Sequence, residues 1–400
     1  MRNRLPFFII VIAITIGLNA YIGWHVHALL SYWFGEDFPS LLYWIVFWIV
    51  ALSYIIAAFG GRVLPKGITQ PLKIIGAYWF AFMEYGLLLL LVTDVAIGIC
   101  RLASVSPQSY IPVLGWVNLA AMALILARGT YNARTPVVRR YDLTIPKEAG
   151  EWKELRIAVA SDLHLGLTVG NRHLRKLVSG VNAMKPDLIV LPGDVIDDSI
   201  HPFIRNRMGE TMRGLQAPLG VYAVLGNHEY IGGHIQAYVE QMEQIGVRVL
   251  MDEVVHLAER LYLVGRKDKA AEQFAGGRKP LASLMADVDL TQPVIVLDHQ
   301  PYHLDKAAEA GADVMLSGHT HRGQMAPNHL ITRRLFELDW GYLRKGNLHA
   351  IVSSGFGTWG PPIRFGSRSE WIALTLHFTN EIEKGRVLDA RDGQEANYPR

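Results

Sequence analysis

The chain has 400 residues, which suits two domains better than one, and half of its residues are apolar. Its net charge of +3 argues against a nucleic-acid-binding protein, which normally carries a dense basic surface. The single cysteine, Cys100, excludes an internal disulfide and a cysteine-rich zinc site.

Four apolar stretches in the first third of the chain predict a transmembrane domain over residues 1–130. A membrane-spanning helix needs roughly 20 mostly apolar residues. A removable signal peptide is the alternative for the first stretch alone, and it fits poorly because three more stretches follow. The predicted spans are residues 5–24, 41–59, 74–100 and 110–127.

The distribution of Lys and Arg predicts the orientation of these helices. Basic residues concentrate before the first stretch, between the second and third, and after the fourth, whereas the first loop is acidic. Because cytoplasmic loops carry the excess of Lys and Arg, we expect both ends of the domain in the cytoplasm. The chain is then a multi-pass protein of the cell (inner) membrane whose second domain is cytoplasmic.

Two acidic residues, Glu84 and Asp94, lie inside the third apolar stretch. Acidic side chains at membrane depth are costly and are candidates for function. A polar contact between helices is the favoured interpretation, and a transport or proton-transfer role is the alternative.

The rest of the chain alternates short apolar runs with helical patterns, which predicts an α/β domain with buried sheets. Residues 131–150 form a linker with a first strand at Val137–Ile145, and the domain itself covers residues 151–379. Residues 380–400 form a polar tail. Further strands are expected at residues 157–160, 188–191, 221–225, 261–264, 294–297, 314–316 and 351–352, with the clearest helices at 174–184 and 235–245.

Five polar clusters follow apolar strands, and they are the main indication of function. In α/β folds, such loops beyond the strand ends collect the functional groups. Each cluster alone is compatible with a turn or a structural histidine, but five in register are not. The residues concerned are Asp162 and His164, then Asp194, then Asn227 and His228, then His299, and finally His319 and His321.

Carboxylate, imidazole and amide oxygens are ligands for Zn, Mn or Fe. Residues two apart in an extended segment point the same way, so Asp162 and His164 are expected to hold one ion. His319 and His321 are expected to reach neighbouring ions. The ligand types do not choose among Mn, Fe, Zn and Mg.

The order and spacing of these clusters resemble the calcineurin-like metallophosphoesterase family over residues 138–378. The run from Ser161 to Gly166 and the later Gly355-Phe356-Gly357-Thr358 with Pro362, Ile363 and Arg364 are most similar to its YaeI-type membrane-associated phosphodiesterase branch. The resemblance implies a sandwich of two mixed sheets flanked by helices. Arg322 departs from the branch, which usually has glycine there; it is either a candidate substrate contact or a solvated loop residue.

The resemblance also implies the role of each residue. One metal ion would be held by Asp162, His164, Asp194 and His321, and a second by Asp194, Asn227, His299 and His319, with Asp194 shared. A hydroxide between the two ions would attack a phosphate ester or pyrophosphate. His228 would be the general acid or charge stabiliser, while Glu229 and Asp197 would orient histidines.

Three classes of function remain in competition. The favoured one is a phosphodiesterase, phosphatase or pyrophosphatase acting on a phosphate-ester substrate that the membrane anchor suggests is lipid-linked. The second is a non-catalytic module with the same fold, and the third is a transporter or sensor centred on the membrane domain. A nuclease ranks low because no basic stripe accompanies the site. Residues 267–290 form either a lid or a surface insertion, and the oligomeric state is not readable.

Overall fold

A computed structural model describes residues 5–60, 64–379 and 396–397. The chain divides into two compact units. The first contains Met1–Thr130 together with Gly360–Ile363, and the second contains Tyr131–Trp359 and Arg364–Arg400. We call them the membrane unit and the α/β unit.

Every regular element described in the membrane unit is a helix, and three of these helices are long and apolar enough to cross a bilayer. These three are Leu5–Phe34, Lys66–Leu102 and Pro107–Arg134. The helices are α1 (Leu5–Phe34), α2 (Ser40–Ala51), α3 (Ser53–Gly60), α4 (Lys66–Leu102) and α5 (Pro107–Arg134).

The second predicted span is not a single helix. It is broken at Leu52 into α2 and α3, which meet at a bend of 59°, so the unit has three clear spans and reaches four only if the bent pair counts as one. The Ser53 hydroxyl donates to the Val50 carbonyl oxygen at 2.7 Å, a local bond that competes with the helix ladder. A Cβ on Gly76 of α4 would overlap the backbone of Tyr54, so the glycine permits the close approach of α3.

Asp94 makes a polar contact between helices. The Tyr21 hydroxyl of α1 donates to Asp94 Oδ2 at 2.6 Å, and His25 Nε2 lies 3.4 Å from Oδ1. Trp79 Nε1 of the same helix donates to Asn19 Oδ1 of α1 at 2.8 Å. These bonds join α4 to α1, which is the structural role that the sequence favours for Asp94.

The α/β unit contains two mixed sheets. The strands are β1 (Val137–Ile145), β2 (Glu154–Val159), β3 (Leu188–Pro192), β4 (Val221–Val224), β5 (Val247–Leu250), β6 (Glu253–Leu257), β7 (Leu261–Gly265), β8 (Val294–Leu297), β9 (Val314–Ser317), β10 (Gly341–Lys345), β11 (Leu348–Val352), β12 (Glu370–Phe378) and β13 (Ala396–Asn397). One sheet has seven strands in the order β13-β1-β12-β2-β3-β4-β5, and the other has six in the order β10-β11-β9-β8-β7-β6. Strands β2 to β5 are parallel, and so are β7, β8, β9 and β11.

Helices cover the outer faces of both sheets. The α-helices in the described part of the unit are α6 (Asn171–Ala183), α7 (Ile200–Arg205), α8 (Met208–Met212), α9 (Asn227–Gly232), α10 (Ile235–Gln244), α11 (Leu281–Leu284), α12 (Leu304–Glu309) and α13 (His329–Leu335). Two short 3-10 helices occupy Lys269–Gln273 and His321–Gly323.

Three apolar clusters show that the unit has four layers. The middle cluster joins residues of both sheets, such as Ile157 and Leu263, so the sheets pack face to face. A second cluster places α6, α8 and α10 on the seven-stranded sheet. The third places α11 and α12 on the six-stranded sheet. The predicted class, two mixed sheets flanked by helices, is therefore confirmed.

The segment 267–290 packs into the unit. Leu281 and Leu284 lie in the apolar cluster on the six-stranded sheet, and Arg278 pairs with the buried Asp298. Of the tail 380–400, only Ala396 and Asn397 are described, as a strand antiparallel to β1; the rest of that predicted segment lies outside the described residues.

Candidate metal centre

Five strands of the two sheets present the candidate ligands from their carboxyl ends. Strands β2, β3 and β4 belong to one sheet, and β8 and β9 belong to the other, so the loops of both sheets meet at one edge of the sandwich. Asp162 and His164 follow β2, and Asp194 follows β3. Asn227 and His228 open α9 after β4. His299 follows β8, and His319 and His321 follow β9.

The backbone at these positions is unusual. Asp162, His164, Asp194, His319 and His321 all have φ between 45° and 73°, in the left-handed region that non-glycine residues rarely adopt. Such conformations cost free energy and concentrate at functional sites. The sharp turns aim successive side chains into one cavity, so the alternation of an extended strand is not what brings Asp162 and His164 together.

The first group of donors contains Asp162, His164 and His321, whose candidate atoms lie within 4.8 Å of one another. His164 Nε2 is 3.0 Å from His321 Nε2, and His321 Nε2 is 3.6 Å from Asp162 Oδ1. Asp194 Oδ2 lies 3.8 Å from His164 Nε2 and completes the predicted set for one ion.

The second group contains Asp194, His299 and His319, again within 4.8 Å. His299 Nε2 is 3.0 Å from Asp194 Oδ2 and 3.2 Å from Asn227 Oδ1. His319 Nδ1 is 2.8 Å from the same Asn227 oxygen. Asp194 therefore lies between the two groups, in the position expected of a shared ligand.

The donors fit divalent metal ions. Asp162 Oδ2 is buried and has no hydrogen-bond partner among the described residues, an arrangement that is costly unless a cation satisfies the oxygen. The mixture of imidazole, carboxylate and amide oxygen suits Zn, Mn or Fe. The structure brings all seven predicted ligands together, and their coordination of metal stays a prediction.

The pKa values of three of the four candidate histidine ligands support binding of metal ions. Burial lowers the pKa of His164 and of His319 to about 3, and it lowers that of His321 well below its usual value. These rings are neutral and keep a lone pair for a cation. His299 differs, because the charge and hydrogen bond of Asp194 outweigh burial and raise its pKa well above 6.5. It has to lose a proton to bind metal.

The pKa values of the two carboxylate ligands, Asp162 and Asp194, are shifted in opposite directions. Burial raises the pKa of Asp162 to about 6, because the buried site opposes its charge. Burial also opposes ionisation of Asp194, but the neighbouring His299 outweighs it and holds the pKa of Asp194 below its usual range. Asp194 is therefore the permanently ionised carboxylate of the pair, as a shared ligand requires.

His228 stands beside the metal groups. Its backbone N–H donates to Asp194 Oδ1 at 2.9 Å, and its ring Nδ1 lies 2.7 Å from Asp198 Oδ1. Burial lowers its pKa, but the hydrogen bond to Asp198 and the charges of Asp194, Asp198 and Asp197 prevail and raise it to about 9. His228 is thus protonated at neutral pH.

The residues expected to orient histidines divide between two tasks. Glu229 accepts hydrogen bonds from the backbone N–H groups of Asp194, Ile196 and Gly226, so it fixes the loops rather than a ring. Asp197 Oδ1 is 3.8 Å from His164 Nδ1 and 3.9 Å from His228 Nδ1. The direct partner of His228 is Asp198, which sequence reasoning missed although it stands next to Asp197.

Arg364, and not Arg322, is the arginine that contacts a candidate metal ligand. Arg322 lies with its guanidinium 4.1 Å from the centre of the Trp340 ring and is not among the residues that line the cleft. Arg364 is fully buried, and its Nη2 lies 3.0 Å from His321 Nδ1 and donates to Gly357 O at 2.7 Å. The motif around Arg364 was recognised in the sequence, but not this contact.

A cleft of about 370 Å³ opens onto the donors. Its wall includes metal-site residues and, further out, residues of the segment from Gln324 to Phe336, which contains α13, and of the loop after β11. The outer wall is formed by Gln324, Asn328, Thr332, Phe336 and Trp359. Phe336 and Trp359 make this wall partly aromatic, which no sequence motif indicated.

Comparison with known proteins indicates the family to which the chain is similar. Residues 155–323 match the model of the calcineurin-like phosphoesterase family. An uncharacterised metallophosphoesterase of Aquifex aeolicus is 34% identical, over 56% of this chain and 85% of its own length.

Two animal relatives share the membrane character in their names. A Danio rerio protein named transmembrane protein with metallophosphoesterase domain is 29% identical over 64% of this chain, and a Bos taurus protein of the same name is 30% identical over 61%. This chain spans 61% and 58% of their respective lengths. The match to the family model, the relative from Aquifex and the ligand order agree, and the chain belongs to the calcineurin-like metallophosphoesterase family.

Proposed function

We propose that the protein is a membrane-anchored phosphoesterase that hydrolyses a phosphate ester or pyrophosphate with two divalent metal ions. The observation that carries the proposal is the convergence of seven donors, with Asp194 between two groups, next to a cleft that four of them and His228 line. One ion would be held by Asp162, His164, Asp194 and His321. The other would be held by Asp194, Asn227, His299 and His319.

The chain's own residues supply binding and proton transfer around that centre. When bound, the ions supply an activated water and neutralise charge on the phosphate oxygens. With Nδ1 of His228 held by Asp198, its Nε2 carries the proton that a departing alkoxide needs. Trp359 and Phe336 give the outer wall of the cleft an aromatic surface.

The membrane anchor supports a lipid-linked substrate and a cell-membrane location. We propose that α1, the bent pair α2 and α3, α4 and α5 form four spans with both ends in the cytoplasm. The chain after α5 carries a run of arginines that includes Arg134, whereas the loop after α4 carries only Arg101. This difference supports a cytoplasmic location for the end of α5. Accessibility of single cysteines placed at Glu36 and at Glu148 to an impermeant thiol reagent tests this topology in intact cells.

The activity test uses the full chain purified in detergent, stripped of metal and then supplied with Mn or Zn. The substrates are bis-p-nitrophenyl phosphate, p-nitrophenyl phosphate and a set of lipid-linked phosphates. Asp194→Asn should abolish metal-dependent turnover because it weakens both donor groups. Asp142→Asn, a change at an exposed carboxylate on β1, is the matched control and should turn over like the wild type. Normal metal content without turnover on any substrate would favour a non-catalytic module.

A further inference from the structure

Helix α13 exposes three large apolar side chains within seven residues. Leu330, Ile331 and Leu335 are 56%, 58% and 65% exposed. In the described part of the α/β unit, the other exposed large apolar residues are separated from one another in sequence. A concentration of this kind on a soluble surface indicates an interaction site.

The inner side of α13 contacts the rest of the unit, so its exposed side is the opposite one. The Thr332 hydroxyl donates to Asp339 Oδ2 at 2.7 Å, and the ring of Phe336, just after the helix, lies 5.0 Å from that of Tyr302. Thr332 and Phe336 also line the cleft. The helix is therefore one wall of the cleft, with its apolar residues on the outside.

The charges on this helix favour an anionic partner. Arg333 and Arg334 are exposed, and neither makes an ion pair with any residue that the structure describes. The helix contains no acidic residue. Apolar residues interleaved with arginines on one exposed face are typical of helices that lie in the surface of an anionic bilayer.

A bilayer is also the environment for which other parts of this chain are suited. The chain has three helices suited to cross a membrane. Trp359, 57% exposed, lies in the cleft wall. Tryptophan is enriched at the membrane–water interface, so the cleft wall has a second element suited to that environment.

We propose that the outer face of α13 inserts into an anionic membrane surface and places the mouth of the cleft there. Resting on the proposed function, this further implies that the substrate is an amphiphile whose phosphate ester enters the cleft from the bilayer surface.

The first test measures insertion and does not depend on activity. In the full chain with Cys100→Ser, Ile331→Cys is labelled with an environment-sensitive fluorophore and the protein is placed in vesicles of phosphatidylcholine and phosphatidylglycerol. Ile204→Cys, at an exposed isoleucine on α7, is the matched control. We expect spin-labelled lipids to quench the label at 331 and not at 204. An unquenched label at 331 would overturn the proposal. Protection of the label from quenching that increases with protein concentration would also overturn it, because it indicates that a second copy of the chain covers this face.

The second test separates the surface from the chemistry. The triple change Leu330→Ser, Ile331→Ser and Leu335→Ser should lower kcat/KM for a diacyl phosphodiester in the same vesicles by about tenfold or more, and it should leave turnover of bis-p-nitrophenyl phosphate nearly unchanged. An equal loss on both substrates would show a structural role and overturn the proposal. If the wild type hydrolyses neither substrate, the proposed function fails, whereas the quenching result still shows whether α13 inserts into the membrane.

Discussion

Asp198 Oδ1 lies 2.7 Å from His228 Nδ1, and this is the shortest polar contact of the His228 ring among those described. The carboxylate is half-exposed whereas the ring is largely buried. Asp198 therefore holds the ring from the solvent side and, together with Asp194 and Asp197, raises its pKa to about 9.

Replacing Asp198 with Asn should shift the alkaline limb of the pH–rate profile to lower pH. If His228 acts as a protonated acid, activity falls as pH rises through its pKa, which the neighbouring carboxylates raise. Loss of the Asp198 charge should lower the pKa of His228, because that charge is one of those that raise it. A neighbouring charge typically shifts a pKa by about one unit or more. The measurement is kcat/KM between neutral and alkaline pH with saturating metal.

Asp197→Asn provides a graded comparison for this experiment. Its carboxylate is 3.9 Å from His228 Nδ1, so we expect a smaller displacement of the limb than in Asp198→Asn. A profile that is identical in the wild type and in Asp198→Asn would show that His228 is not the titrating acid.

Gly226→Ala should abolish activity through a steric clash alone. A Cβ on Gly226 would overlap Asp194 Oδ1 and lie 2.5 Å from the Asp194 backbone nitrogen, and neither atom can move without displacing the shared ligand. Gly226 has φ −104° and ψ −176°, which any residue adopts, so the change adds no backbone strain. Bound metal per chain, measured by elemental analysis, should fall together with turnover.

Gly170→Ala is a close control, because Gly170 also precedes a helix and has φ −105° and ψ −176°. Nothing lies within 4 Å of a Cβ added there. We expect it to keep normal metal content and turnover. Equal loss in both variants would point to a general effect of alanine at these helix starts instead of a clash with Asp194.

The residues of the centre could be predicted from the sequence because each follows a buried strand and carries a metal-binding group. The strand Val137–Ile145 was also predicted with its observed bounds. The strands and the polar residues that follow them can be read from the local sequence, because a buried strand requires a run of apolar residues. The left-handed backbone at Asp162, His164 and Asp194 was not predictable, since it results from the packing of loops from different strands.

Long-range partners explain the remaining omissions. Arg364 is 43 residues from His321, and nothing in the spacing indicates that their side chains meet. The apolar pattern continues across the break at Leu52, so hydropathy alone does not indicate the bend between α2 and α3. Phe336 and Trp359 read as ordinary apolar residues, and only the fold brings them to one cleft.

Arg364→Lys should weaken the centre although it retains the charge. The guanidinium donates through Nε and Nη2 to Gly357 O, and its Nη2 also faces His321 Nδ1. A lysine ammonium is a point donor and cannot reproduce this fork. Changes in groups that orient metal ligands typically cost about 10–100-fold in affinity or activity, and we expect a loss of that size in metal affinity and in kcat.

Arg368→Lys is the matched comparison for Arg364→Lys. Arg368 Nη2 donates to Thr135 O at 3.0 Å, away from the donors of the centre. It should bind metal normally. Wild-type metal affinity and kcat in Arg364→Lys would remove Arg364 from any role in positioning His321.

His349 makes the α/β unit less stable in mild acid. Burial, assisted by Arg344 on the neighbouring strand β10, lowers the pKa of His349 to about 4, and the Tyr342 hydroxyl lies 2.8 Å from its Nδ1. Between pH 6.5 and 4 the unfolded chain binds a proton at this residue that the folded chain does not. The contribution of neutral His349 is therefore complete above its ordinary pKa and is lost as pH falls toward 4.

The measurement is the thermal unfolding temperature of the detergent-purified chain at neutral pH and at about pH 5. His349→Gln should lower it at neutral pH through loss of the Tyr342 contact, by about 2–4 °C per kcal/mol lost for a unit of this size. The further drop on acidification should be smaller in His349→Gln than in the wild type, because the variant no longer has this proton to take up on unfolding. His377→Gln, at a half-exposed histidine on β12, should retain the full wild-type drop. If the wild type and His349→Gln lose the same amount on acidification, protonation of His349 does not contribute to the acid sensitivity of the unit.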